Sequence, residues 1–153
     1  MMRRQSEMSE LRRIAESSET REVRARRIAE LIREAGGYRW VGIYDVTSNE
    51  IAAIAWSGRG DPAFPRFPVT QGLNGAAVSS GKTVIVGDVM QDVRYLTTLG
   101  NTRSEMVVPV RNESGAIVGT IDVESEKANA FSARDRDFLE ECGRAARPLW
   151  IRE

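Results

Sequence analysis

The chain has 153 residues, with 22 Lys and Arg against 22 Asp and Glu, 41% hydrophobic and 29% charged residues, the composition of one soluble globular domain able to bury about 68–70% of its unfolded surface without disulfide or metal staples. Histidine is absent and cysteine occurs once, as Cys142, which removes Ser-His and Cys-His catalysis, imidazole-built zinc sites and any intrachain disulfide. Balanced charge argues against nucleic acid as the main partner. No apolar run approaches the roughly 18 residues of a membrane span, and Met1-Met2-Arg3-Arg4 opens no secretory signal. The expectation is a cytoplasmic protein with neither membrane nor nucleic acid as a partner.

Residues 3–35 are dense in Arg and Glu, with Leu11, Ile14 and Ala15 on one helical face and Ala25, Ile28, Ala29, Ile32 and Ala35 on another. This predicts one amphipathic helix or a helical pair, broken at Ser17-Ser18-Glu19-Thr20, which could cap the second helix, and ended by Gly36-Gly37. A disordered charged tail up to Ser18 is the alternative. Two strands follow, Tyr38 to Val46 and Glu50 to Ser57, joined by a Thr47-Ser48-Asn49 turn. Three prolines and two glycines make 58–68 a loop with at most a short strand at its end. A short helix is predicted over Leu73 to Ser80, closed by Gly81, then a buried-type strand Thr83 to Val86. Asp88 to Arg103 reads as loop with one helical turn around Tyr95. Glu105 to Arg111 and Ala116 to Glu124 form a hairpin whose turn ends in Gly115. Ser132 caps a last helix with Asp135 three residues on, apolar at Phe138, Leu139, Cys142, Ala145, Ala146 and Leu149 and ended or kinked by Pro148. Tight turns between neighbouring strands imply an α+β fold with an antiparallel sheet of about six strands, the N- and C-terminal helices on one face and a loop-lined pocket on the other.

That order resembles a GAF domain, and particular motifs resemble its free methionine-(R)-sulfoxide reductase branch. Trp40-Val41-Gly42-Ile43-Tyr44 is similar to that branch's W-x-G-x-Y strand, and Pro68 to Ala77 to its I-P-x-G-x-G-V-C-G-x-A segment. Asp88-Val89 with Ser104 to Val110 is similar to its D-V and S-E-I-V-x-P-L pair, and Gly119 to Ser125 to its G-x-L-D-I-D-S strand. The resemblance covers roughly residues 38–140. It implies residues 1–36 as an N-terminal helical segment and 37–150 as the GAF domain. The branch works with three cysteines, and their places fall here on Phe64, Asn74 and Thr98, none of which can attack a sulfoxide sulfur.

The ligand-holding residues of the branch map onto Trp40, Tyr44, Glu105, Asp122 and Glu124. Asp122 and Glu124 are i, i+2 on a strand and share a sheet face, with Glu105 opening the neighbouring strand. Converging carboxylates beside aromatic rings suit an ammonium or a polarised N–H group. The alternative places the acids in solvent at strand ends, paired to Arg103 or Arg111. Gly72-Leu73-Asn74-Gly75 leads into a helix start whose N–H groups could receive an anion. Tyr95 and Thr98 join the expected ligand-binding set beside Asn74 and Gly75. A Ser79-Ser80-Gly81-Lys82 pairing is set aside because Lys82 lies past a helix end, and no catalytic residue is assigned.

No metal or cofactor is expected: a bilin would need an attachment cysteine and haem an axial histidine, and the NKFDE signature of nucleotide-binding GAF domains does not occur. The chain therefore reads as a non-catalytic sensor or regulatory module for a small polar or anionic ligand, acting on a regulatory partner in trans because no output domain is fused to it. The alternatives are a reductase-family enzyme and a dimerisation module with a vestigial pocket. The apolar stripes of the terminal helices suggest a two-fold homodimer closing a four-helix bundle.

Overall fold

The computed structural model describes residues 2–151; Met1, with which the expected 1–36 segment begins, lies outside them, as do Arg152 and Glu153. Helices α1 (Met2–Ala15) and α2 (Arg21–Gly36) lead into strands β1 (Trp40–Val46), β2 (Glu50–Gly58) and β3 (Arg66–Pro68). Helix α3 (Gly72–Ser80), strand β4 (Val84–Val86) and a 3₁₀ turn at Val89–Gln91 follow. The hairpin of β5 (Ser104–Arg111) and β6 (Ile117–Ser125) precedes helix α4 (Ala133–Ala145) and a closing 3₁₀ turn, Arg147–Trp150. The strands form one antiparallel sheet in the order β3-β2-β1-β6-β5-β4.

Local chemistry sets the element ends. Thr20 accepts a hydrogen bond from the Val23 N–H at the start of α2, and Gly37 closes it in the left-handed region at φ 68°. Ser132 and Asp135 form a reciprocal capping box on α4. The described residues 2–15 are helical, so the disordered-tail alternative does not hold for them. The helical turn expected around Tyr95 lies instead at Val89–Gln91, where the Asp88 carboxylate accepts from the Met90 N–H; Tyr95 sits in irregular chain. An Asx-type cap outweighed the weak local pattern at Tyr95. Strand β4 is less buried than its Val-Ile-Val run implied, since it is an edge strand with Ile85 exposed and only Val86 buried.

The period of two along β1, β5 and β6 sorts their residues onto two faces. Val41, Ile43, Met106, Val108, Ile121 and Val123 pack against Ile28 and Ile32 of α2 and Leu139 and Cys142 of α4. Met8, Leu11, Ile14 and Ala15 of α1 are buried in the same core. The apolar stripe of α1 that motivated the expected four-helix dimer is thus buried within one chain. Trp150 closes this layer: its indole lies where a side chain at Gly119 would stand and donates to the Tyr44 carbonyl at 3.1 Å. Helix α3 and the loops 59–65 and 87–103 cover the opposite face. No helix among the described residues is long and apolar enough to cross a membrane.

Candidate functional site: a buried acid cage

The site lies on the sheet face opposite the three long helices. Strand register brings its parts together: Trp40 stands opposite Glu124, Gly42 opposite Asp122 and Tyr44 opposite Thr120. On the other side of β6, Glu105 stands opposite Glu124 and Val107 opposite Asp122. The glycine of the Trp-Val-Gly-Ile-Tyr strand is what allows the two rings to close over the sheet. A Cβ at Gly42 would come within 2.5 Å of the Trp40 indole and 2.8 Å of the Tyr44 ring. The Tyr44 ring meets Phe67 edge-on at 6.1 Å.

Glu105, Asp122 and Glu124 are 2%, 0% and 0% exposed, and one carboxylate oxygen from each lies within 4.8 Å of the other two. Neither arginine of the solvent-paired alternative reaches them. Arg103 pairs with Asp88 at 3.3 Å, and Arg111 donates to the Gly115 and Gly81 carbonyls. The acids have neutral partners only. Asn74 Nδ2 donates to Asp122 Oδ2 at 3.2 Å while its Oδ1 accepts from the Thr120 hydroxyl at 2.6 Å. Thr102 Oγ1 donates to Glu124 Oε1 at 2.6 Å. That leaves Glu105 Oε1, Asp122 Oδ1 and Glu124 Oε2 buried with no hydrogen-bond partner.

Burial without a cation raises all three carboxyls above their ordinary range, Glu105 and Glu124 well above it, with mutual repulsion adding to the rise of those two. The rise of Asp122 is partly offset by the neighbouring Glu105, Glu124 and Asn74 side chains. Burial and then the same acids push the Tyr44 phenol well up. Tyr95 is raised to about 12, by burial first and then by Glu124 and Glu105.

The sequence-predicted residues Trp40, Tyr44, Asn74, Glu105, Asp122 and Glu124 therefore converge. Tyr95 and Thr98 sit half-buried on the 87–103 loop above them, and Thr98, after Thr102, works against the rise that burial causes in Glu124. Gly75 differs from its expected part: its N–H already donates to the Gln71 carbonyl at 3.0 Å, the first bond of α3, so it is no free donor for an anion. Phe64 is 48% exposed on the 59–65 loop. Two contributors escaped the sequence reading. Thr120 shares the period-two face of Asp122 and was legible in principle; Thr102 lies in irregular chain and carried no signal. The cover is tied down by Trp40 Nε1 donating to the Gly60 carbonyl at 3.0 Å and by the Ala63 N–H donating to the Thr98 carbonyl at 2.8 Å.

Three buried carboxylates around one small space are a hard, oxygen-only donor set. They could hold a metal ion or the ammonium end of an organic molecule.

Residues 18–147 match the family model described as "GAF domain". The chain belongs to the GAF domain family. Among curated proteins it is 33% identical over 109 residues to GAF domain-containing protein A of Dictyostelium discoideum, covering 71% of this chain and 67% of that one. It is 32% identical over 102 residues to the free methionine-R-sulfoxide reductase of Saccharomyces cerevisiae, covering 66% of this chain and 57% of the yeast protein. The GAF fold superposes on the free methionine-R-sulfoxide reductase of Neisseria meningitidis in complex with its substrate, with TM-score 0.84, 26% identity and coverage of 96% and 87% of the two chains. Its six-stranded antiparallel sheet with flanking helices is the architecture of that family.

The lone thiol of this GAF domain is remote from the cage in kind as well as in place. Cys142 is fully buried in the helical core, and burial pushes its thiol up, away from the thiolate form that nucleophilic chemistry needs.

Proposed function

We propose that this GAF domain is a non-catalytic binding module whose ligand is a small polar molecule presenting an ammonium group to Glu105, Asp122 and Glu124. The observation that carries the reading is the set of three unpartnered buried oxygens, one on each acid. An ammonium has three N–H donors, and with N–H···O⁻ bonds of about 2.8 Å its acceptors spread about 4.6 Å apart, within the 4.8 Å span of the three carboxylates. Binding supplies the positive charge that buried carboxylates lack, and the Trp40 and Tyr44 rings add cation–π attraction and exclude water.

A thermal-shift and calorimetric panel of amino acids and small amines tests the reading, with the matching N-acetylated compounds and divalent cations as separate arms. Free amines should bind and their N-acetyl forms should not. Binding by the acetylated forms, or by divalent cations alone, would replace the ammonium with another occupant.

The similarity to sulfoxide reductases supports a second reading, in which the occupant is turned over. A burial-locked Cys142 supports the non-catalytic one. Reduction of free methionine-(R)-sulfoxide with thioredoxin or glutathione should not exceed the no-protein control; turnover lost in Cys142→Ser would restore the enzyme.

A further inference from the structure

The charged residues that the cage does not use are distributed unevenly. Where α4 crosses β5, on the helical side of the sheet, a cleft of about 630 Å³ opens between α4, the end of β5 and the turn from α3 to β4. Lys82, Arg111, Arg136, Arg144 and Arg147 line it, against the carboxylates of Asp137 and Glu140. That is an excess of three positive charges in a chain whose total is balanced.

We propose that this cleft binds a small phosphorylated anion, at a site separate from the acid cage. The two carboxylates there are already engaged: Glu140 Oε2 accepts from the Thr83 hydroxyl at 2.5 Å, and Asp137 pairs with Arg136 at 3.4 Å. Lys82, Arg111, Arg144 and Arg147 have no carboxylate within ion-pair distance among the described residues. Arg147 has its Nε buried with no hydrogen-bond partner at all. The unpaired charge of Arg147 beside the cleft favours an anion there by Coulomb attraction.

Arg111 is preset for the task. Its Nη1 and Nη2 donate to the Gly115 and Gly81 carbonyls at 2.8 and 2.9 Å, fixing the guanidinium plane over Gly81. A Cβ at Gly81 would meet Arg111 Nη2 at 2.6 Å, and the φ of +69° there suits glycine. Helix-dipole compensation accounts for Arg144, which is in the last turn of α4. It does not account for Lys82 and Arg111, which come from other elements, or for Arg147, which lies beyond the helix.

The shape selects a small molecule over a strand of another protein. Strand β4 pairs with β5 only over Glu105–Val107, so the edge of β5 beyond it is open, and Pro109 in that stretch offers no N–H to an incoming strand. The volume falls within the 300–1,000 Å³ typical of small-ligand pockets. Several guanidiniums on fixed elements favour the planar, multidentate recognition that phosphoryl oxygens accept.

Titration of the full chain with inorganic pyrophosphate at near-physiological salt, followed by calorimetry, tests the site. One saturable event is expected, stronger than with sulfate at equal ionic strength. Arg144→Glu, at an exposed position, should weaken it at least about tenfold, whereas Lys127→Glu, an equal charge change elsewhere, and Asp122→Asn, in the acid cage, should leave it within about twofold. Equal weakening by Arg144→Glu and Lys127→Glu would reduce the effect to overall charge and overturn the site, as would equal affinity for sulfate and pyrophosphate or no binding at all. Loss of pyrophosphate binding in Asp122→Asn would overturn the separateness of the two sites.

Discussion

The two faces of one sheet are built on opposite principles. Along β1, β5 and β6, alternate residues Val41, Ile43, Met106, Val108, Ile121 and Val123 meet α1, α2 and α4 in an apolar layer, each buried side chain contributing roughly 1.5–3 kcal/mol. The residues between them include Trp40, Tyr44, Glu105, Asp122 and Glu124, and there burial strands three carboxylate oxygens without partners. A fold selected for stability alone would fill that face with hydrocarbon, because buried charge is costly unless it is paired. The difference separates the face that makes the domain fold from the face we propose to bind a ligand.

The widest test of that separation is a cavity on the helical side. Leu139→Ala, at a fully buried position, should lower stability in urea denaturation by about 2–5 kcal/mol and leave the affinity for an amine ligand within about twofold. A large loss of affinity in the folded variant would mean that the faces are coupled.

The converse experiment is Asp122→Asn. Affinity should fall about ten- to a hundredfold, the worth of one charge-assisted hydrogen bond at roughly 1.5–3 kcal/mol. Stability of the ligand-free protein should hold or rise, because the amide keeps an acceptor for Asn74 and removes a buried charge. Glu105→Gln should behave in the same way. Variants that unfold but, when folded, bind normally would make the acids structural.

The cage also sets opposite pH trends for folding and binding. Glu105 and Glu124 titrate well above their ordinary 4.5 in the folded protein, and Asp122 above 3.8, with burial the leading cause. Stability from a raised carboxyl is complete below its unfolded value and is lost as pH rises through the folded one. Melting temperature of the ligand-free chain should therefore fall as pH climbs above about 4.5 into the neutral range, less steeply in Asp122→Asn. Affinity for an ammonium ligand should rise over the same interval, since only ionised acids attract it. Parallel rather than opposed slopes would remove the acids from the binding site.

The smallest effect belongs to an element end whose side chain lines neither site. Ser132→Ala breaks the capping box of α4 and should cost about 1 kcal/mol, read as a modest drop in melting temperature with ligand affinity unchanged.

What the sequence by itself determined here is the local grammar: period two along Trp40–Val46 and Glu105–Arg111, caps at Thr20 and Ser132, a glycine-ended turn at Gly115, and a tandem of Asp122 and Glu124 on one face. These are legible because each depends on residues a few positions apart, whose backbone preferences and alternation act wherever the segment lies. Tertiary structure decided where the apolar stripe of α1 is spent, that β4 is an edge strand, and that Trp150 seals the helical layer over Gly119. It also decided that Asn74 and Thr102 reach the acids, with Thr120 holding Asn74, and that Lys82, Arg111 and Arg147 share one cleft. Those outcomes turn on burial and on partners supplied by distant segments. A carboxylate on a strand is the same in the sequence whether solvent or a sealed cage surrounds it, and only packing settles the dielectric it meets.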